Sequence, residues 1–153
     1  GTYVKTNDEA TGTSSFVKTD QVWFTEEKIQ AIKDLPIWLV QSADDPVVVP
    51  MNYLLPTYQA LIQAGAENTW VSYFETVEGT DSPGTTYLGH FSWIYLFNNQ
   101  VTGVQDKAAI AASTDAETFG FEASNATGGG AAAATVGETT YTNIFEWLND
   151  QSK

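Results

Sequence analysis

A chain of 153 residues that is 42% hydrophobic and 13% aromatic has enough apolar material for one packed domain. Its net charge is −13 and all six basic residues are lysines, so it lacks the guanidinium forks that read phosphate and guanine, which disfavours nucleic acid and anionic membrane as partners. The absence of cysteine excludes disulfides, thiolate metal sites and cysteine nucleophiles, and no apolar stretch approaches the roughly 18 residues of a membrane span.

The start at Gly1 has neither an initiator Met nor a signal-peptide pattern, and reads as a processed end or a break. Residues 1–20 are rich in Thr, Ser, Asp and Gly without periodicity; they read as loop, with at most a short strand around Ser15–Val17. The stretch 22–36, "VWFTEEKIQAIKDLP", predicts a short helix. Thr25 can cap it, Glu26 and Glu27 suit the positive end of its dipole, and Pro36 lies just beyond its end. Ile37, Trp38, Leu39 and Val40 then form an apolar run too short for a helix, as expected of a strand buried on both faces in a parallel sheet.

After Pro50 the positions Leu54, Tyr58, Leu61 and Ile62 follow helical spacing, and Gly65 supplies the stop. The segment "TWVSYFETVEG" predicts a second strand, with Trp70, Val71, Tyr73 and Phe74 as packing residues and Gly79 opening a loop. Strand, helix and strand make a βαβ unit. "HFSWIYLFNN" predicts a short buried helix whose Phe91, Ile94, Tyr95 and Phe97 cover most of the circumference; Trp93 could line an acyl or aryl pocket, but is assigned to helix packing.

From 102 to 140 the composition shifts to Ala, Gly and Thr, including "GGGAAAA". This stretch reads as an insertion or mobile excursion, with few large side chains to offset its ordering entropy, or as a substrate lid. "YTNIFEWLNDQSK" closes the chain as an amphipathic helix docked through Ile144, Phe145, Trp147 and Leu148, while Trp38, Trp70 and Trp147 are assigned to the core. Glu75, Glu78 and Asp81 read as solvated acidic surface, and "NAT" at Asn125 is a glycosylation pattern that often occurs by chance.

On this scheme Asp45 lies just past the carboxyl end of the first strand, and His90, the only histidine, follows the second. Catalytic side chains in open α/β sheets gather outside those strand ends. An Asp accepting from one imidazole nitrogen fixes the tautomer and leaves the other free as a base. Asp44 competes for the acid role, but Pro46 restricts the backbone of Asp45 to an extended conformation, which favours Asp45.

"LPIWLVQSADDPVVVP", "ALIQAGAENT", "WVSYFETV", "GHFSW" and "IFEWLNDQSK" together resemble the C-terminal half of an α/β-hydrolase. The group most similar is that of bacterial secreted esterases related to feruloyl and acetylxylan esterases, polyhydroxybutyrate depolymerases and prolyl-oligopeptidase-like hydrolases. The likeness spans roughly residues 21–100 and 141–153 and leaves the Ala/Gly-rich insertion outside it. It implies Asp45 as acid and His90 as base of a Ser-His-Asp triad, a small-molecule or polysaccharide-linked ester as substrate, no metal or organic cofactor, and a secreted or periplasmic location. Plant-cell-wall acyl esters are the most natural substrates by this resemblance.

The family's G-x-S-x-G nucleophile elbow is absent, since "GTSSF" and "GTDSPG" do not fit it, and the oxyanion-hole loop belongs to the other half of such a fold. Two parallel strands would also leave unpaired edges, so the strand at 35–42 needs a neighbour. The expectation is one partial α/β-hydrolase domain over residues 1–153, with the 102–140 insertion inside it. Its partner would be an N-terminal half carrying the serine, without which the chain is inactive. A non-catalytic binding or scaffold module, and a serine peptidase of the same fold, remain open alternatives.

Overall fold

The computed structural model describes residues 2–19, 24–79 and 84–151, and mixes helices with short strands paired two by two. Thr2–Asp8 (β1) and Thr13–Thr19 (β2) form an antiparallel hairpin where the sequence predicted loop. Residues 5–15 are exposed, and this part of the hairpin carries no apolar stripe of the kind that marks most strands. The turn is set by local chemistry instead: Asp8 Oδ1 accepts from the Ala10 N–H at 2.9 Å, and Gly12 takes a positive φ of 67°.

Helix α1 (Glu26–Ile32) begins as expected, with Thr25 Oγ1 accepting from the Lys28 N–H at 3.4 Å and Ile29 buried; Val22 and Trp23 lie outside the described residues. The centre of the fold is the predicted βαβ unit. Strand β3 (Ile37–Ser42), helix α2 (Leu54–Gln63) and strand β4 (Thr69–Phe74) follow in order, and β3 pairs parallel with β4 from Ile37–Thr69 to Ser42–Phe74.

Alternation along β4 sends side chains into two cores. Trp70 and Phe74 join Tyr95, Val101, Val104 and Trp147 on one face, and Val71 and Tyr73 join Leu55, Tyr58, Ile110 and Phe121 on the other. Strands β5 (Val77–Glu78) and β6 (Thr86–Tyr87) form a small antiparallel ladder, and helix α3 (Trp93–Phe97) follows. Tyr95 stacks on Phe74 with ring centroids 4.0 Å apart and fixes α3 to the sheet. Contrary to the expected all-round burial, Trp93 and Phe97 of this helix are exposed.

The 102–140 stretch is folded onto β4. Helix α4 (Lys107–Ala112) is capped by Asp106, whose Oδ1 accepts from Ala108 N–H at 2.8 Å; strands β7 (Ala134–Val136) and β8 (Thr139–Tyr141) form a ladder, and α5 (Ile144–Asp150) closes the chain. Ile144 and Trp147 of α5 are buried, but Phe145 and Leu148 are exposed, so the docking face is narrower than predicted.

The ordering entropy of this stretch is offset by backbone pairing, which composition does not display. Gln105 N–H donates to Val71 C=O at 2.9 Å, Tyr73 N–H to Gly129 C=O at 2.7 Å, and Ser124 N–H to Tyr73 C=O at 2.9 Å. Small residues permit the approach: at Gly129, with φ +101°, an added Cβ would lie 2.8 Å from Ser72 Cα. β4 is consequently buried along its whole length. β3, which meets no third strand among the described residues, leaves Ile37–Val40 only half-buried, short of the two-sided burial expected.

Lys107 clamps the start of β4. Its Nζ sits 3.4 Å from the Trp70 ring centroid and donates to the Glu67 carbonyl. Burial pushes this ammonium down to about 8, against the opposing attraction of Glu67.

Two measurements check this packing. Gly129→Ala should lower unfolding stability by about 2 kcal/mol or more, read from urea melts, because it adds left-handed strain to overpacking. Above pH 8 the folded chain releases the Lys107 proton before the unfolded chain does, so stability should rise between pH 8 and 10 and Lys107→Met should flatten that rise.

Candidate active site

Beyond Ser42 the chain turns through Ala43–Pro46 and buries Asp45, which is 6% exposed. Asp45 Oδ1 accepts from the N–H groups of Val47 at 2.8 Å and Val48 at 3.0 Å, the local turn bonding that an Asp before a proline readily makes. Asp45 Oδ2 lies 3.2 Å from His90 Nδ1 and 3.2 Å from Gln41 Nε2, which donates to it. Asp44 is exposed and instead accepts from Ser42 Oγ at 2.5 Å. Of the two candidate acids, the fold brings Asp45 to the histidine.

His90 stands in a 3₁₀ turn, Gly89–Phe91, after β6; the β5–β6 ladder lies between it and the end of β4, where the sequence predicted a loop. The preceding Gly89 lies against the Asp44–Asp45 backbone. A Cβ at Gly89 would sit 2.7 Å from both the Asp44 carbonyl carbon and the Asp45 nitrogen, and would collide with Asp44 Oδ1. Only glycine lets this loop approach closely enough for the adjacent imidazole to reach Asp45.

Burial pushes the Asp45 carboxyl up, but the N–H groups of Val48 and Val47, followed by His90 and Gln41, outweigh it and hold the group below its ordinary value of 3.8. In a neutral imidazole, an ionised carboxylate that accepts Nδ1–H leaves the lone pair on Nε2. The His90 side chain is 34% exposed, and no hydrogen bond to Nε2 is present among the described residues. This arrangement can take up a proton from a group presented at the open side of the ring. No serine fills that role among the described residues: Ser42 bonds Asp44, and Ser92 Oγ donates to the Val40 carbonyl at 3.3 Å.

Beside the imidazole, Trp93 meets His90 edge to face at 5.8 Å, and the Phe91 and Trp93 centroids are 5.0 Å apart. Trp93 is 44% exposed, which overturns its assignment to helix packing: α3 is short and turns Tyr95 inward, leaving Trp93 at the rim. Glu75 and Glu78 are exposed, and Asp81 lies outside the described residues. Among the described residues no group of three His, Asp or Glu could hold a metal. Asn125 is committed to structure, its Oδ1 accepting from Glu75 N–H at 2.9 Å and its Nδ2 donating to Thr76 Oγ1 at 3.0 Å. Gln41 and Gly89 were missed from sequence. An amide side chain ending an apolar strand run was the available signal for Gln41, and glycine immediately before the only histidine was the signal for Gly89.

Gly89→Ala should separate His90 from Asp45 and cost about 1–3 kcal/mol, seen as loss of the Nδ1–H proton resonance together with a lowered melting midpoint. Because Asp45 is held below 3.8, its contribution to stability is fully present above that pH and disappears as the pH falls through the depressed value. Acid unfolding curves of Asp45→Asn should lack that portion.

The chain matches no family model, no curated protein and no solved structure.

Proposed function

We propose that this chain supplies the acid and base of a Ser-His-Asp hydrolase acting on carboxylic esters. The observation that carries the reading is the Asp45 Oδ2 to His90 Nδ1 contact at 3.2 Å, with Asp45 buried and the His90 side chain one-third exposed. His90 Nε2 takes the hydroxyl proton as a serine oxygen attacks the ester carbonyl, and Asp45 stabilises the imidazolium that forms. As the tetrahedral intermediate collapses, the C–O bond to the alcohol breaks and the proton passes to the leaving oxygen. His90 then deprotonates a water that hydrolyses the acyl-serine, which releases the acid and restores the serine hydroxyl. Neither step calls on a metal or organic cofactor.

The serine and the oxyanion hole are assigned to an N-terminal half of the same α/β-hydrolase fold. Support for such a partner comes from β3, whose outer edge is unpaired among the described residues and whose Ile37–Val40 side chains are half-buried. A strand laid on that edge would cover them. Exposed Phe91 and Trp93 stand beside the imidazole and exposed Val47 beside Asp45, which gives the pair an apolar, partly aromatic surround. That surround suits an ester with a flat apolar group, in keeping with cell-wall acyl esters handled by a secreted or periplasmic enzyme.

In the native preparation a fluorophosphonate probe should label the companion segment and not this chain, and His90→Ala should abolish both labelling and hydrolysis of a p-nitrophenyl ester. Ester hydrolysis that survives His90→Ala would end the proposal. Trp93→Ala should raise KM for aryl esters about 3- to 10-fold while changing KM for acetyl esters of small alcohols far less.

A further inference from the structure

The Asp45 carboxylate has one more partner than a paired acid requires. Gln41, near the end of β3 and 8% exposed, donates from Nε2 both to Asp45 Oδ2 at 3.2 Å and to the Val48 carbonyl at 2.5 Å. Both amide hydrogens are thereby committed, one to the carboxylate and one to the loop that carries it. The remaining oxygen, Oδ1, is held by the N–H groups of Val47 and Val48. Strand end, loop and carboxylate thus form one closed set of hydrogen bonds, and the direction left for Oδ2 is toward His90 Nδ1.

We infer that Gln41 is the positioning residue of this site: it sets the orientation of Asp45 Oδ2 toward His90 and keeps that oxygen charged. The inference rests on the reading of Asp45 and His90 as acid and base, and adds a residue that touches neither substrate nor the reacting atoms. Gln41 donates to the very oxygen that faces the imidazole. Removing it changes the electrostatics of the pair, whereas removing a residue that only closed the turn would loosen the loop and leave Oδ2 chemically as it was. Gln41 also favours the ionised form of Asp45, in line with the lowered titration of that group.

The test uses Gln41→Met, which keeps length and loses the donors, and Gln41→Glu, which keeps the shape and sets a second carboxylate against Asp45. Carboxyl-detected NMR on the chain itself follows Asp45 and the Nδ1–H proton of His90. In Gln41→Met the Asp45 titration should move up by about half a pH unit or more, the Nδ1–H resonance should shift, and the upward move should be larger in Gln41→Glu. In the assembled enzyme kcat should fall about 10-fold with KM changed less than about 2-fold. An unmoved Asp45 titration in a folded Gln41→Met chain would overturn the inference, and so would failure of both variants to fold, since Gln41 would then be structural alone. Should Asp45 shift as described while no ester hydrolysis depends on His90, the positioning role stands and the esterase reading fails.

Discussion

The parallel register of β3 against β4 is the constraint from which the site follows. Because Ser42 lies opposite Phe74, both strands end level, and the chain leaves the same rim twice: once through the Asp45 turn and once through residues 75–90. A one-residue slip would turn Trp70 and Phe74 toward α2 and exchange the two cores, so the side chains on either face fix the register. With the strand ends fixed, Gly89 closes the remaining gap by lying against the Asp44–Asp45 backbone. The Asp45–His90 hydrogen bond joins residues 45 positions apart in the chain through one strand pair and one backbone contact.

The two strands are supported unequally, and the difference bears on function. On its far side β4 is bonded to Gln105, Ser124 and Gly129, so its polar backbone is satisfied and its side chains are buried throughout. Among the described residues β3 meets no strand on its other edge, although the Ser92 hydroxyl reaches the Val40 carbonyl. A strand rich in Ile, Trp, Leu and Val with an open edge is the kind of surface that proteins ordinarily cover. On the proposed reading, a companion placed there would flank the strand that leads into the Asp45 turn.

What was legible in the sequence depended on side-chain periodicity. β3, α2 and β4 were readable because Ile37–Val40 is a short apolar run and Leu54, Tyr58 and Leu61 repeat at helical spacing, and Thr25 with Glu26 and Glu27 marked the start of α1. The meeting of Asp45 with His90 followed from placing both after strands. Features held by backbone chemistry were not legible. The β1–β2 hairpin is exposed over residues 5–15 and turns on Asp8, and the 102–140 stretch packs through glycine carbonyls and main-chain N–H groups that no hydropathy pattern records. Trp93 was misplaced for another reason: five aromatic residues between 87 and 97 suggest all-round burial, yet α3 spans only Trp93–Phe97 and has a single inward face.

The bonding of Asp45 itself argues for chemistry beyond turn closure. A carboxylate needed only to close the loop would be satisfied by Val47 and Val48 on one oxygen, and could stay exposed as Asp8 does in its turn. Asp45 is buried instead, and burying a charge is costly unless every acceptor site is met. Its second oxygen is met by Gln41 and by an imidazole that is itself one-third exposed. Ordering a one-third-exposed histidine against a buried anion lowers side-chain entropy and adds little packing, since the ring meets Phe91 and Trp93 only at their edges or at a tilt. On the proposed reading that cost is offset by use of the second ring nitrogen, beside the exposed Phe91 and Trp93.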